Sequence, residues 1–246
     1  IMNAWQIRQG IEQSGISEWG SGYFSINRSG HVVASPNGKS NQSISLPEII
    51  EKARTLGMET PMIIRFPQII RQQLKRMHEA FHNAIAEFSY PGSYHGVFPF
   101  KVNQRREFID AVVSCGKDLN WGLEVGSKTE FMAALSYPLG KGALLVCNGF
   151  KDYEFIELAF IAQSMGRNVI CVIEGPEELQ LIREALSKHK GMPCPAIGLR
   201  VKLYSKGSGK WEKSSGATSK FGLTTVEVMN ALNILRSRDL KTDYRC

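Results

Sequence analysis

From about residue 60 onward, short apolar runs alternate with stretches of helical periodicity, and this alternation limits the folds open to the chain more than any other feature. Met62-Ile63-Ile64-Arg65 precedes a helix over about 68–88. Val97-Phe98-Pro99-Phe100 leads to Lys101 and a helix over 104–115, and Trp121-Gly122-Leu123-Glu124 to one over 127–136. Ala143-Leu144-Leu145-Val146-Cys147 precedes a helix over 152–165, and Val169-Ile170-Cys171-Val172-Ile173 one over 176–188. Finally, Ala196-Ile197-Gly198-Leu199-Arg200-Val201-Lys202-Leu203 is followed by a long loop and a helix over 225–237. Strands and helices at this spacing form βαβ units with parallel pairing. An open doubly wound sheet and a (β/α) barrel both satisfy the pattern.

The first 45 residues are of another kind, rich in Gly, Ser and Asn. Tyr23-Phe24-Ser25-Ile26-Asn27, then Gly30, then His31-Val32-Val33-Ala34 alternate as a hairpin does, which makes one small β element and no core. The 246 residues suffice for one large domain or two small ones, and 43% hydrophobic with 22% charged residues is ordinary for a soluble globular protein. No apolar run reaches the roughly 18 residues of a membrane-spanning helix. No basic start followed by an apolar stretch marks a secretory signal, and a chain that begins at Ile1 is expected to lack upstream residues.

Five cysteines (Cys115, Cys147, Cys171, Cys194 and Cys246) occur without CxxC spacing. Cys147 and Cys171 lie in apolar runs and read as buried reduced thiols, so neither disulfides nor a zinc site is expected and the compartment is reducing. The net charge of +7 comes from dispersed residues, with no long Lys/Arg run, which argues against nucleic acid and favours attraction of a small anionic cofactor. No GxGxxG opens a helix, and Lys206-Gly207-Ser208-Gly209-Lys210 lacks the spacing of a P-loop.

In parallel α/β folds, chemistry collects at the carboxyl ends of strands. Here Lys101, Glu124, Asn148 and Glu174 each close an apolar run, while Arg200 lies inside the last one. Singly, a strand-end Glu or Asn is commonly a helix cap or a solvated residue, and Arg200 reads equally as an ion-pair partner for Glu124. Lys101 differs. It follows a strand expected to be buried on both faces, where a free ammonium is disfavoured. Imine formation with an aldehyde cofactor, or a polar cavity, relieves that cost; the alternative is a lysine that snorkels to the rim. The Gly/Ser-rich stretch 205–219 is long for a barrel loop and reads as either functional or disordered.

Phe98-Pro99-Phe100-Lys101-Val102-Asn103-Gln104 resembles the cofactor-lysine motif of the biosynthetic arginine decarboxylases, which usually have tyrosine-proline and then valine or isoleucine before the lysine. Gly122-Leu123-Glu124-Val125-Gly126-Ser127-Lys128-Thr129-Glu130 is similar to that family's next block. Leu145-Val146-Cys147-Asn148-Gly149-Phe150-Lys151-Asp152 is similar to a third, and Gly198-Leu199-Arg200-Val201 with Ser219-Lys220-Phe221-Gly222-Leu223 to a fourth. Trp19-Gly20-Ser21-Gly22-Tyr23-Phe24 and Phe66-Pro67 fit the opening segment, and the blocks follow in order over nearly all of residues 5–240. Lys220 sits in a family block without a role to assign. The Gly/Ser-rich loop with Trp211 is typical of the arginine branch, not of the ornithine, lysine or diaminopimelate branches.

The resemblance implies fold type III: an α/β protein with a (β/α)8 TIM barrel joined to a β domain made from both chain ends. Residues 1–60 then belong to the β domain, and residues 61–246 to the N-terminal portion of the barrel, with about five of its eight strands. It implies pyridoxal phosphate on Lys101, with Glu124, Glu130 and Arg200 around the lysine and the cofactor ring. No metal ligand set is visible, and magnesium is a family expectation only. The implied reaction converts L-arginine to agmatine and CO2 in polyamine (putrescine and spermidine) biosynthesis. The implied assembly is a homo-oligomer, a dimer or a tetramer of dimers. The implied setting is the cytoplasm, or a plastid in a plant-like source, with neither nucleic acid nor membrane as partner.

The family continues with a His-containing strand, a Gly-rich phosphate loop, a Glu for the pyridine nitrogen and a Cys/Asp segment reaching into the partner subunit, none of which is present. Five strands leave an eight-stranded barrel open, so the 246 residues alone are expected neither to decarboxylate arginine nor to bind the cofactor tightly. The rival readings are a barrel-only pyridoxal-phosphate carrier, an inactive or regulatory fragment, and a decarboxylase of the same fold acting on ornithine, lysine or diaminopimelate.

Overall fold

A computed structural model describes residues 4–38, 40–203 and 222–236. The expectations for the stretch 205–219 with Trp211, for Lys220 and for the last residues after Leu240 lie outside the described residues. The chain forms two compact units, Ile1–Glu87 and Phe88–Cys246.

In the first unit, β1 (Phe24–Ile26) and β2 (Val32–Ala34) form the expected hairpin, with Phe24 opposite Ala34 and Ile26 opposite Val32. Its turn is held by Asn27, whose side-chain oxygen accepts the N–H groups of Ser29 and His31, each at 3.0 Å. Asn in that position competes for backbone donors and so fixes a turn. A third strand, β3 (Ile44–Ser45), pairs with β2. Three helices add to the unit where sequence periodicity showed none: α1 (Ala4–Ser14), α2 (Ile16–Trp19) and α3 (Leu46–Thr55). The signal for α3 lay in its ends: Pro47, preset for the first turn, then Glu48 in that turn and Lys52 and Arg54 in the last, the three charges complementing the helix dipole.

The first apolar run behaves differently from expectation. Residues 62–65 form no strand; they lead directly into the long helix α4 (Pro67–Glu87), and Ile63 is 75% exposed. Pro61 and Pro67 bracket the run and lack the N–H groups that a ladder requires.

The second unit begins with β4 (Val97–Pro99) and α5 (Arg106–Gly116), then β5 (Gly122–Val125) and α6 (Lys128–Leu135). It continues with β6 (Leu144–Cys147), α7 (Tyr153–Ser164), β7 (Asn168–Ile173), α8 (Glu177–Lys188), β8 (Ala196–Leu199) and α9 (Thr225–Arg236). The five strands lie in chain order, each parallel to the one before. A doubly wound sheet reverses direction at a switch point; a barrel does not. The unreversed order therefore matches the winding of a barrel.

Alternate residues of each strand face the helices. Leu123, Val125, Leu145, Cys147, Val169, Cys171 and Ile173 are buried against Ile109, Phe131, Phe155, Ile156, Phe160 and Ile182. The opposite face carries the less buried Val146, Ile170 and Val172. Close strand approach depends on Gly122, where a side-chain carbon would stand 1.9 Å from the carbonyl oxygen of Leu144. Cys147 and Cys171 are neighbours across β6 and β7, and both are free, as read from the sequence. Burial holds the Cys147 thiol well above its ordinary range and pushes that of Cys194 up to about 12.

Helix α7 starts on a charged cap. The Asp152 carboxylate accepts the N–H of Phe155 at 3.0 Å and the ammonium of Lys128 at 2.7 Å. The Lys128 hydrogen bond first, and the Phe155 N–H second, hold the carboxyl below its ordinary value of 3.8. A depressed folded value means stabilisation that is complete above the unfolded value and fades as pH drops through the folded one. The side chain is 48% exposed, so the ion pair itself adds little and the cap dominates. Asp152→Ala is expected to lower stability by about 1 kcal/mol at neutral pH. Urea unfolding of both forms should show that difference shrinking below pH 3.8.

Candidate active site

The carboxyl ends of β4 to β8 surround a cavity of 580 Å³, within the size range of small-molecule sites. Lys101, Glu124, Glu130 and Arg200 all line it, so the residues singled out in the sequence come together in space. Asn148 and Glu174, which close β6 and β7, line it as well.

Lys101 reaches the cavity by a route the sequence did not suggest. Strand β4 stops at Pro99, and residues Phe100–Val102 form a 3-10 turn. Phe100 is buried at 6% exposure and anchors the turn, while the Lys101 side chain is 67% exposed. The expected burial of the lysine is thus corrected: it stands just past the strand end, where among the described residues β4 pairs with β5 alone, and its amine projects into the cavity mouth. Its Nζ lies 4.0 Å from Oε1 of Glu124.

Glu124 is buried within β5 although its side chain takes the less buried face, opposite to Leu123 and Val125. Its Oε1 accepts a hydrogen bond from Nδ2 of Asn148 at 3.0 Å. Its Oε2 is buried and accepts nothing among the described residues. Glu130 is engaged on both oxygens: Oε2 accepts the N–H of Gly126 at 2.7 Å and Oε1 accepts Nε2 of Gln104 at 2.8 Å. The Ser127 hydroxyl caps α6 by accepting the Glu130 N–H. Ser127 and Glu130 thus form most of a capping box, and Glu130 braces the loop behind the lysine turn.

Arg200 does not pair with Glu124. Its Nη1 donates to Oε1 of Glu174 at 3.0 Å, because β8 neighbours β7 and lies three strands from β5. Arg200 follows the end of β8 instead of lying within it, and its N–H bonds to the carbonyl of Ile173. The same Glu174 oxygen accepts the N–H of Gly149 at 2.8 Å, and the other, Oε2, is buried with no hydrogen bond among the described residues. Gly149 adopts φ +76°, and a side-chain carbon there would stand 2.4 Å from the carbonyl of Gly126. Only glycine suits such a position. Gly126, Ser127, Gly149 and Val172 were missed as lining residues, although Asn148-Gly149 directly after an apolar run is a strand-end signal.

An aldehyde cofactor needs an accessible amine, a cavity of its own size, and polar groups around its ring. Lys101 at the mouth supplies the first and the cavity the second. The carboxylates of Glu124 and Glu174 on the cavity wall, with the Arg200 guanidinium paired to Glu174, supply the third. The residues present fit pyridoxal phosphate. No group of three or more His, Cys, Asp or Glu among the described residues could hold a metal ion. No described helix is long and apolar enough to cross a membrane.

Comparison with known proteins agrees. The chain is 43% identical to the biosynthetic arginine decarboxylase of Parasynechococcus marenigrum, over 98% of this chain and 37% of that protein. It is 40% identical to that of Bacteroides thetaiotaomicron, over 98% and 38% respectively. The chain thus spans little more than a third of the length of these curated relatives. Among solved structures, the biosynthetic arginine decarboxylase SpeA from Campylobacter jejuni superposes with a TM-score of 0.79 at 37% identity, covering 92% of this chain and 35% of that one. The diaminopimelate decarboxylase of M. jannaschi gives 0.61 at 22% identity, over 92% and 46%, a likeness of fold. Residues 70–242 match the family described as pyridoxal-dependent decarboxylase, pyridoxal binding domain. With Lys101 and its carboxylate neighbours gathered at the ends of an unreversed parallel sheet, the chain belongs to the pyridoxal-dependent decarboxylases.

Proposed function

We propose that this chain supplies the lysine-bearing wall of an enzyme that converts L-arginine to agmatine and CO2 for polyamine synthesis, with pyridoxal phosphate as cofactor. The observation that carries the reading is the Lys101 amine at the cavity mouth, 4.0 Å from Oε1 of the buried Glu124. The relatives at 40% and 43% identity, both named biosynthetic arginine decarboxylases, support the choice of arginine. In this reading residues 61–246 form the first part of a barrel, and residues 1–60 join the β domain of a homo-oligomer, a dimer or a tetramer of dimers. The free thiols of Cys147 and Cys171 suit a cytoplasmic setting.

Bound pyridoxal phosphate would draw off the electron pair left on the α-carbon as CO2 departs. The chain's own residues do the rest. Lys101 would hold the cofactor aldehyde, and its amine, at the cavity mouth, could carry a proton to or from a bound substrate. Glu124 sits beside that amine as a charged partner fixed in place by Asn148. Glu174 steadies the Arg200 guanidinium at the opposite wall. Glu130 braces the Gly126 turn and Gln104, which keeps the lysine loop in register.

Borohydride reduction of the complete holoenzyme, followed by peptide mapping, is expected to tag Lys101. Label on another lysine, or on none, removes the cofactor assignment. Assays with arginine, ornithine, lysine and diaminopimelate are expected to release CO2 from arginine above the other three; preference for another amino acid overturns the substrate.

A further inference from the structure

Behind the cavity wall, a lysine and a glutamate are sealed from solvent altogether. Lys151 and Glu178 are each 0% exposed, and neither lines the cavity. The Lys151 ammonium directs its donors to the carbonyl of Gly149 at 2.7 Å, the carbonyl of Val172, and Oε2 of Glu178 at 3.4 Å. Glu178 accepts the N–H of Lys151 at 3.0 Å and the N–H of Glu174 at 2.9 Å. The Gly149 N–H closes the ring by donating to Glu174. One ion pair therefore ties the loop after β6 to the loop after β7.

Removing two charges from water costs about as much as their attraction returns, so a sealed pair of this kind is poor evidence of stability for its own sake. What it does supply is direction. Every donor of the ammonium is spent on a fixed acceptor, and both carboxylate oxygens are spent on backbone N–H groups of the two loops. Those loops carry Asn148, which orients Glu124, and Glu174, which holds Arg200.

We infer that Lys151 and Glu178 are positioning residues that set the distance between the Asn148–Glu124 and Glu174–Arg200 pairs on the cavity wall. The inference rests on the decarboxylase reading for its chemistry and on the ring of hydrogen bonds for its geometry.

The test uses the complete holoenzyme with three substitutions. K151M removes the ammonium at similar volume, and E178Q keeps the shape while placing an amide where two backbone donors and an ammonium need acceptors. K188M breaks the exposed pair between Lys188 and Glu157, 2.6 Å apart and outside the cavity lining, and is expected to leave all site readouts unchanged. At a temperature where circular dichroism shows folded protein, K151M is expected to lower kcat on the order of 100-fold with KM changed far less, as a misplacement of about 1 Å does. The absorbance band of bound cofactor should shift, and cofactor should dissociate more readily. E178Q should move the same readouts in the same direction. A folded K151M or E178Q with wild-type kcat and cofactor affinity, and only a lower Tm, overturns the inference.

Should both variants fail to fold, amide exchange in the unsubstituted apoenzyme decides. The N–H groups of Lys151 and Glu174 should exchange as slowly as those of β6 and β7; exchange at the rate of the exposed turn at Gly166 overturns the inference. A wild-type holoenzyme that decarboxylates none of the four amino acids defeats the decarboxylase reading, whereas unshifted cofactor affinity in the folded variants defeats the positioning role alone.

Discussion

Lys101→Ala in the complete enzyme is expected to abolish the absorbance of lysine-bound cofactor and to reduce arginine decarboxylation by on the order of 10²- to 10⁴-fold, the range for loss of a positioned proton-transferring group. In the proposed reading the residue would combine two tasks, holding the aldehyde and handling a proton beside Glu124 at 4.0 Å, and alanine removes both. Stability should hardly change. The side chain is 67% exposed, and its turn is anchored by the buried Phe100. An activity loss with an unchanged melting temperature, measured on the same preparation, is therefore the expected signature. A Lys101→Ala enzyme that keeps wild-type turnover would falsify the assignment of the cofactor lysine.

Gly122→Ala is expected to have the largest effect on stability of any single added methyl group in the second unit. The new carbon would lie 1.9 Å from the Leu144 oxygen and 2.8 Å from the Leu144 nitrogen and carbonyl carbon, all of them backbone atoms of the neighbouring strand. Backbone in a ladder cannot swing aside. Strands β5 and β6 must part beside Leu144, two residues before the point where Glu124 pairs in register with Val146. Overpacking of this kind costs about 3 kcal/mol, at the upper end of the usual range. Urea unfolding should lose roughly 1 M in midpoint. Gly92→Ala is the control, since its added carbon would also come close, at 2.5 Å, but only to the ring of Tyr90, which is 62% exposed and free to turn. Equal losses for the two substitutions would mean that β5 and β6 yield more readily than a hydrogen-bonded ladder should. Because Glu124 follows Gly122 by two residues on the same face of β5, the Gly122 variant should also release cofactor more easily.

The alternation of apolar runs and helical stretches was enough to foresee five parallel strands and their following helices, because a strand buried against helices must be apolar and helix caps leave marks in sequence. Helices α5 to α9 lie within two residues of the ranges expected. The residues that close those strands were equally legible as a site, since parallel topology sends every strand end to one side. What periodicity could not separate was a barrel from a doubly wound sheet. Strand order depends on which elements become neighbours, and that is settled by packing between segments far apart in the chain. The run at 62–65 shows the same limit from the other side: it is apolar, yet two prolines deny it a ladder.

By itself, then, the sequence determined the fold class and named Lys101, Glu124, Glu130 and Arg200, because local apolar pattern and motif order are written residue by residue. Tertiary structure decided their partners: Arg200 binds Glu174 and not Glu124, Glu130 turns inward to its own loop, and Lys151 disappears behind the wall with Glu178. An ion pair depends on the few ångströms between side chains brought together from separate strands. That separation exists only once the five strands have assembled in their order.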